Sequence, residues 1–332
     1  MPGSSAVTGR SPSEPVAPRT VGLALGSGSA RGLAHIGVLR AIREAGIDIK
    51  VIAGTSMGAL IGAVLAAGGL DSLTAKFLGL DWKYMVSLLD PVFPRSGLID
   101  GRKIADFVRT LVPDTAIEDL NIPFAAVATD LATGREVVID HGDLTEAVRA
   151  SIAVPGIFTP VRRDGHVLVD GGLVDPVPVS AARAMGADLV IAVDLNHDIV
   201  AGRSARVAPS DDGNGNGQTL ARLLESLPGA KNTVSQNPLL AQFSAWLKKD
   251  ALPGIFEVLL ASLYIMQARI TQSSLRHDRP DLLIQPPLGA VRLMDFGRAE
   301  EIIEIGYRCA TERLKSWPQA TDRPHRLGRE SA

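Results

Sequence analysis

The chain has 332 residues, of which 46% are hydrophobic and 21% charged; this excludes a wholly disordered polymer and supplies a core for one large domain or two small ones. Its 34 Lys and Arg against 36 Asp and Glu leave a net charge of −2, so nothing strongly basic argues for a nucleic-acid partner. The single cysteine, Cys309, excludes an internal disulfide framework and a cysteine-rich metal site, and 4% aromatics leave the packing to aliphatic side chains and glycine.

Residues 1–20 hold Ser, Pro, Gly and scattered charges without an apolar stretch, and read as a disordered arm, not a signal peptide. No apolar run reaches the roughly 20 residues that cross a bilayer; Ile255 to Met266 comes nearest, but Glu257 interrupts it. The expected location is the cytoplasm, with peripheral membrane contact left open. Val21 to Leu25 reads as a strand ending in the Gly-rich turn Gly26-Ser27-Gly28-Ser29-Ala30-Arg31-Gly32. Leu33 to Ala45 carries apolar residues at helical spacing and meets Gly46 where a C-terminal cap belongs. Ile47 to Ala53 is a second strand, Gly54-Thr55-Ser56-Met57-Gly58 a second turn, and Ala59 to Ala67 a second helix. Strand, turn and helix repeated in this way predict a parallel sheet with helices on its faces.

The alternation continues with strands at Phe124 to Thr129, Glu136 to Asp140, Val167 to Val169 and Leu189 to Val193, and a short helix at Val148 to Ala153. Residues 200–255 read as a flexible or helical insertion in one continuous domain, 21–318. Ile255 to Thr271 follows as a helix, Leu282 to Gln285 as a strand and Arg298 to Leu314 as a helix, with 319–332 a polar tail. Leu220 to Met266 is open to three readings: an interfacial lid, an oligomer contact or ordinary core packing.

Three short motifs carry chemistry. Gly54-Thr55-Ser56-Met57-Gly58 fits G-x-S-x-G, in which a serine on a sharp strand-to-helix turn stands above the sheet at a helix N-terminus that favours negative charge. The alternative is a plain βα turn with Ser56 as a helix cap. Gly26–Gly32 can present successive N–H groups to an anion, as an oxyanion hole or as a dinucleotide-binding turn. The dinucleotide fingerprint needs glycine at Arg31, though Asp48 stands where a ribose-binding acid belongs. Asp170-Gly171-Gly172 places a carboxylate at a strand end, with a solvated turn aspartate as the plainer reading. Asp130 and Asp194 are read either as cleft residues or as turn caps. His197 and His277 follow Asp170 in the chain, so position alone leaves a Ser-His-Asp triad on an α/β-hydrolase open. His35 reads as a packing residue, and the six histidines show no metal-ligand spacing.

Taken in order, the glycine-rich run with His35-Ile36-Gly37-Val38-Leu39, the serine turn and Asp170-Gly171-Gly172 resemble the patatin-like phospholipase family. The bacterial members related to the neuropathy target esterase catalytic domain are nearest in pattern. Ala128-Thr129-Asp130-Leu131 and the run from Ala150 to Phe158 resemble it too, so the likeness spans Val21 to Val193. It implies a three-layer α/β/α patatin-like fold with a mainly parallel central sheet. It also implies a serine acyl hydrolase acting on lipid esters such as phospholipids or lysophospholipids, with neither cofactor nor metal. Ser56 is then the nucleophile, Gly54 and Gly58 its elbow, and Asp170 the base in a Ser–Asp dyad, with Gly171 and Gly172 shaping the Asp turn. Gly26, Ser27, Gly28, Ser29, Ala30, Arg31 and Gly32 are assigned to the oxyanion hole, centred on Gly28 and Ser29 and joined by Met57. Ser27 and Ser29 depart from the commoner all-glycine loop. A lipid-binding protein that keeps the fold without turnover is the second reading.

Overall fold

The computed structural model describes residues 19–79, 101–112, 115–199, 255–292 and 294–317. The expected N-terminal arm except its last two residues, the 200–255 insertion except its last residue, and the tail lie outside them. Among the described residues eight strands form one sheet: β1 (Val21–Leu25), β2 (Ile49–Thr55), β3 (Phe124–Asp130), β4 (Glu136–Ile139), β5 (Val161–Arg163), β6 (His166–Asp170), β7 (Leu189–Val193) and β8 (Leu282–Ile284). The helices are α1 (Ala34–Glu44), α2 (Met57–Ala66), α3 (Leu70–Gly79), α4 (Arg102–Arg109), α5 (Leu144–Ser151), α6 (Val179–Ala184), α7 (Ile255–His277) and α8 (Ala299–Leu314).

Side-chain alternation sorts the two faces. On β1, β2, β3 and β7 the larger Leu23, Leu25, Ile52, Phe124, Ile191 and Val193 join the core beneath α1, α2, α5 and α8. The residues between them, Ala24, Val51, Ala53, Val127, Val190 and Ala192, are smaller and pack with α6 and the C-terminal end of α7. This gives helix, sheet and helix as three layers. The centre is parallel, through β1 with β2 and β7, β2 with β3, and β7 with β8. β4 and β6 both pair antiparallel with β3, and β5 with β6.

The register around β3 decides the rest. Ala126 and Val127 pair with β2 and with β4, and Ala128 and Thr129 pair with β4 and with β6. A strand has only two hydrogen-bonding edges, so β4 takes one and β2 and β6 share the other. They run toward each other along it: Thr55 stands opposite Val127, and Asp170 opposite Ala128, one residue further on. The end of the second strand and the end of the sixth therefore meet head to head.

Most expected elements fall in place with shifted ends. The helix expected from Val148 begins earlier, at Leu144, because the Asp143 carboxylate caps it by accepting from the Glu146 amide at 2.7 Å. The helix expected from Leu33 is preceded by a 3-10 turn, Ser29–Leu33, and Gly46 ends it at a φ of 69°.

Candidate active site

β2 leaves the sheet at Ser56, whose φ of 58° and ψ of −121° lie in a region that side chains other than glycine rarely occupy. The turn is possible because α2 starts immediately and presses on the strands. A Cβ on Gly58 would run into the Leu25 carbonyl, and one on Gly54 would sit 2.5 Å from the Gly58 carbonyl. By leaving, β2 orphans its own Ser56 amide and the Val127 carbonyl of β3. The Ser151 hydroxyl takes both, accepting from Ser56 N at 2.9 Å and donating to Val127 O at 2.6 Å.

Asp170 arrives at the same place. It is 1% exposed, its Oδ1 accepts from the Gly172 amide at 2.7 Å, and its backbone carbonyl accepts from Thr129 Oγ1 at 2.9 Å. Burial pushes its carboxyl up to about 6, opposed by the Ser56 side chain and the Gly172 amide, which favour the carboxylate. The Ser56 hydroxyl is thus near enough to act on the carboxyl, while Oδ2 is buried and closes no hydrogen bond. A serine on a strained backbone and a carboxylate with one unsatisfied oxygen thus share this end of β3.

The glycine-rich loop runs from the end of β1 beside these two. Its amides divide into two sets. Gly26 N donates to Val193 O, Ser27 N to Pro176 O and Arg31 N to Gly28 O, so these three are committed to the loop's own architecture. Gly28 and Ala30 precede the first bond of the 3-10 turn, and the Met57 amide opens α2, where no helical acceptor precedes it. Of the residues expected at the oxyanion hole, Gly26, Ser27 and Arg31 spend their amides on backbone carbonyls. The Arg31 guanidinium is buried, 4.7 Å from the Tyr264 ring centre and donating to Val291 O at 3.4 Å.

The histidines stand elsewhere. His35 is fully buried with Nε2 2.8 Å from the Gly26 carbonyl; burial lowers it to about 4, so at neutral pH it is uncharged and fastens the start of the loop. His197 is exposed, and His277 is exposed with Nδ1 on the Ser273 carbonyl. Among the described residues no histidine bonds Ser56 or Asp170. The other carboxylates act as turn caps: Asp130 accepts from Ala132 N and Thr133 Oγ1, and Asp194 from Asn196 N and Gln285 Nε2. Asp48 lies at the start of β2, away from the glycine loop at the end of β1, and is exposed with Lys50 at 2.5 Å; this position does not suit a ribose acid. No three His, Cys, Asp or Glu among the described residues are placed to hold a metal ion. No described helix is long and apolar enough to cross a membrane.

Four residues of the site were not singled out in the sequence, although Ser151 lies within the run from Ala150 to Phe158. Ser151 repairs the elbow. Asn196, Gln267 and Tyr264 close over the glycine loop, the last two from α7, which has Leu263, Tyr264, Gln267, Ala268 and Thr271 buried and Val258, Leu259, Ile265 and Met266 exposed. Only the inward helical stripe of α7 was available beforehand, and that is equally the mark of a core helix.

Comparison with known proteins gives the family. The model of the patatin-like phospholipases matches residues 23–183, which hold both Ser56 and Asp170. NTE family proteins of Mycobacterium tuberculosis (strain H37Rv) and Mycobacterium bovis are each 36% identical to the chain over 96% of both sequences. Patatin-like phospholipase domain-containing protein 6 of Homo sapiens is 31% identical over 90% of this chain, which spans only 20% of that longer protein. With its mostly parallel sheet between helical layers and its match along nearly the whole length of the mycobacterial relatives, the chain belongs to the patatin-like phospholipases, in their NTE family.

Proposed function

We propose that the protein hydrolyses carboxylic ester bonds of lipids, of the phospholipid or lysophospholipid kind, by a Ser56–Asp170 dyad through an acyl-enzyme. The observation that carries this reading is the meeting of β2 and β6 on one edge of β3, with a strained serine facing a buried carboxylate whose Oδ2 lacks a partner. Asp170 Oδ2 takes the Ser56 proton as Oγ attacks the ester carbonyl carbon. The carbonyl oxygen becomes an oxyanion held by the Gly28 and Met57 amides, each such donor being worth roughly 3–4 kcal/mol. Collapse breaks the bond to the leaving alkoxide, which takes the proton from Asp170. Water, deprotonated by the same carboxylate, then attacks the acyl-enzyme, and the second collapse returns Ser56 and releases the acid.

Support for a dyad over a triad comes from Oδ1 bonding the Gly172 amide and from the remote histidines. The test is a fluorophosphonate probe with lipid ester substrates. Wild type is expected to label at Ser56 and turn over, while Asp170→Asn folds with kcat lowered about 10²- to 10⁴-fold. His197→Ala is expected to keep near-normal turnover. An inert Ser56 overturns the reading, and an active Asp170→Asn overturns the dyad.

A further inference from the structure

α7 places a buried amide side chain between the two halves of the site. Gln267 is 4% exposed, on the buried stripe of a helix where an apolar side chain would pack without desolvation cost. Its polar atoms are ordered by neighbours 71 and 240 residues away in the chain. Ser27 Oγ donates to Gln267 Oε1 at 3.2 Å, and Asn196 Nδ2 approaches the same oxygen at 3.4 Å. Asn196 Nδ2 also donates to the Ser27 carbonyl at 3.1 Å and to Ser27 Oγ at 3.0 Å. A carbonyl only accepts, so the Asn196 amide has one allowed orientation, and that in turn sets the Gln267 amide. Asn196 is itself tied down, its amide N on Asp194 Oδ1 and Gln285 Nε2 on Asp194 Oδ2.

With Oε1 held by the glycine loop, Gln267 Nε2 must point the other way, and there it lies against Gly172. A Cβ built on Gly172 would collide with Nε2 and stand 2.9 Å from Asp170 Oδ1. One side chain thus touches the loop that bears the oxyanion donors and the turn that bears the base. The hydroxyl of Ser27, one of the two serines that depart from an all-glycine loop, is the group it grips.

We propose that Gln267 is a positioning residue that locks the Gly26–Gly32 loop to the Asp170–Gly172 turn, keeping the amide donors and the carboxylate at a fixed separation. The role rests on the Ser–Asp reading for its effect on turnover, but the mechanical lock does not, and the experiment separates the two. Gln267→Met keeps the length and packing of the side chain while removing the acceptor and the donor. Hydrogen–deuterium exchange is followed on the peptide covering residues 26–33, with the β1 and β2 peptides as internal controls, and kcat and KM are measured on a lipid ester. Exchange in 26–33 is expected to speed up roughly tenfold or more with the controls unchanged, and kcat to fall roughly 10- to 100-fold with KM within about twofold, the scale of a small misplacement. Because the lock acts through Ser27, Ser27→Gly and Gln267→Met together are expected to lose much less than the product of their separate losses. Unchanged exchange overturns the proposal whether or not the protein turns over esters. So does a loss of kcat that matches a loss of folded protein, or losses that multiply fully. A wild type without esterase activity but with a loosened loop in Gln267→Met defeats the hydrolase reading and leaves the lock standing.

Discussion

Ser151 does at the level of one side chain what a strand would otherwise do. The departure of β2 leaves a donor and an acceptor facing each other with nothing between, and a hydroxyl, which can accept and donate at once, fits both. Alanine would strand two buried backbone groups at the residue that must stay strained. Ser151→Ala is therefore expected to lose about 1–3 kcal/mol in chemical denaturation and to lower kcat, because the φ of Ser56 is held by that bond. Unaltered stability and turnover would show that the elbow is held by the glycine packing alone. From the sequence Ser56, Asp170 and the glycine loop were legible, because each sits at a strand end where turn residues interrupt an apolar run. Ser151 was not, since a serine near the end of a short helix has no local mark of what it faces 95 residues away.

Among the elements, the strands of the buried centre were legible as short apolar runs and the flanking helices as 3.6-residue patterns. What escaped had weak or ambiguous local signals. β5 is three residues, two of them arginine, and α6 is six residues behind Pro178. The directions of β4 and β6 are decided by pairing, which no periodicity encodes. The inward stripe of α3, Leu70, Leu73 and Phe77, was present but lies between the serine turn and Phe124, a stretch without a motif to anchor it. Helix contacts also hide in single glycines. α1 and α8 cross with backbones in touch: a Cβ on Gly37 would strike the Ile303 carbonyl, and one on Gly306 the Ala34 carbonyl. Either glycine replaced by alanine is expected to cost about 3 kcal/mol or more or to abolish folding, since backbone cannot step aside. Gly297→Ala, at a position with open space around it, is expected to change stability by under about 0.5 kcal/mol, and equal effects in the two would refute this packing.

Over the whole molecule, two buried carboxyls couple folding and activity to pH. Asp170 is raised to about 6, and Asp175 to about 7 by burial first and then by Glu136, with a smaller push from Asp278, all three carboxyls lining a cavity of about 110 Å³. A carboxyl raised on folding favours the protonated chain. Its contribution to stability is complete below the unfolded value near 4 and is lost as pH climbs through the folded value. Asp175→Asn, which keeps an acceptor for Ser180 Oγ, is expected to melt several degrees above wild type at pH 8 and to match it near pH 4. A scanning-calorimetry difference that grows toward acid would reverse the assignment. The proposed dyad makes the opposite demand on turnover: with Asp170 as its base the carboxyl has to be ionised, so kcat/KM is expected to rise through about pH 6 and then level.

The shared edge of β3 also sets what this architecture lets vary. Between residues 56 and 170 the chain departs from one spot and returns to it, and what the site needs of that stretch is the elbow at the start of α2, β3 with its two re-entries, and the Ser151 bonds. Loops along that detour can lengthen, and whole segments be grafted into it, without disturbing the reacting pair. A two-residue slip of the returning strand would instead carry the carboxylate about 7 Å along the edge and silence the protein while leaving its core intact. Chain length here is free; register is not.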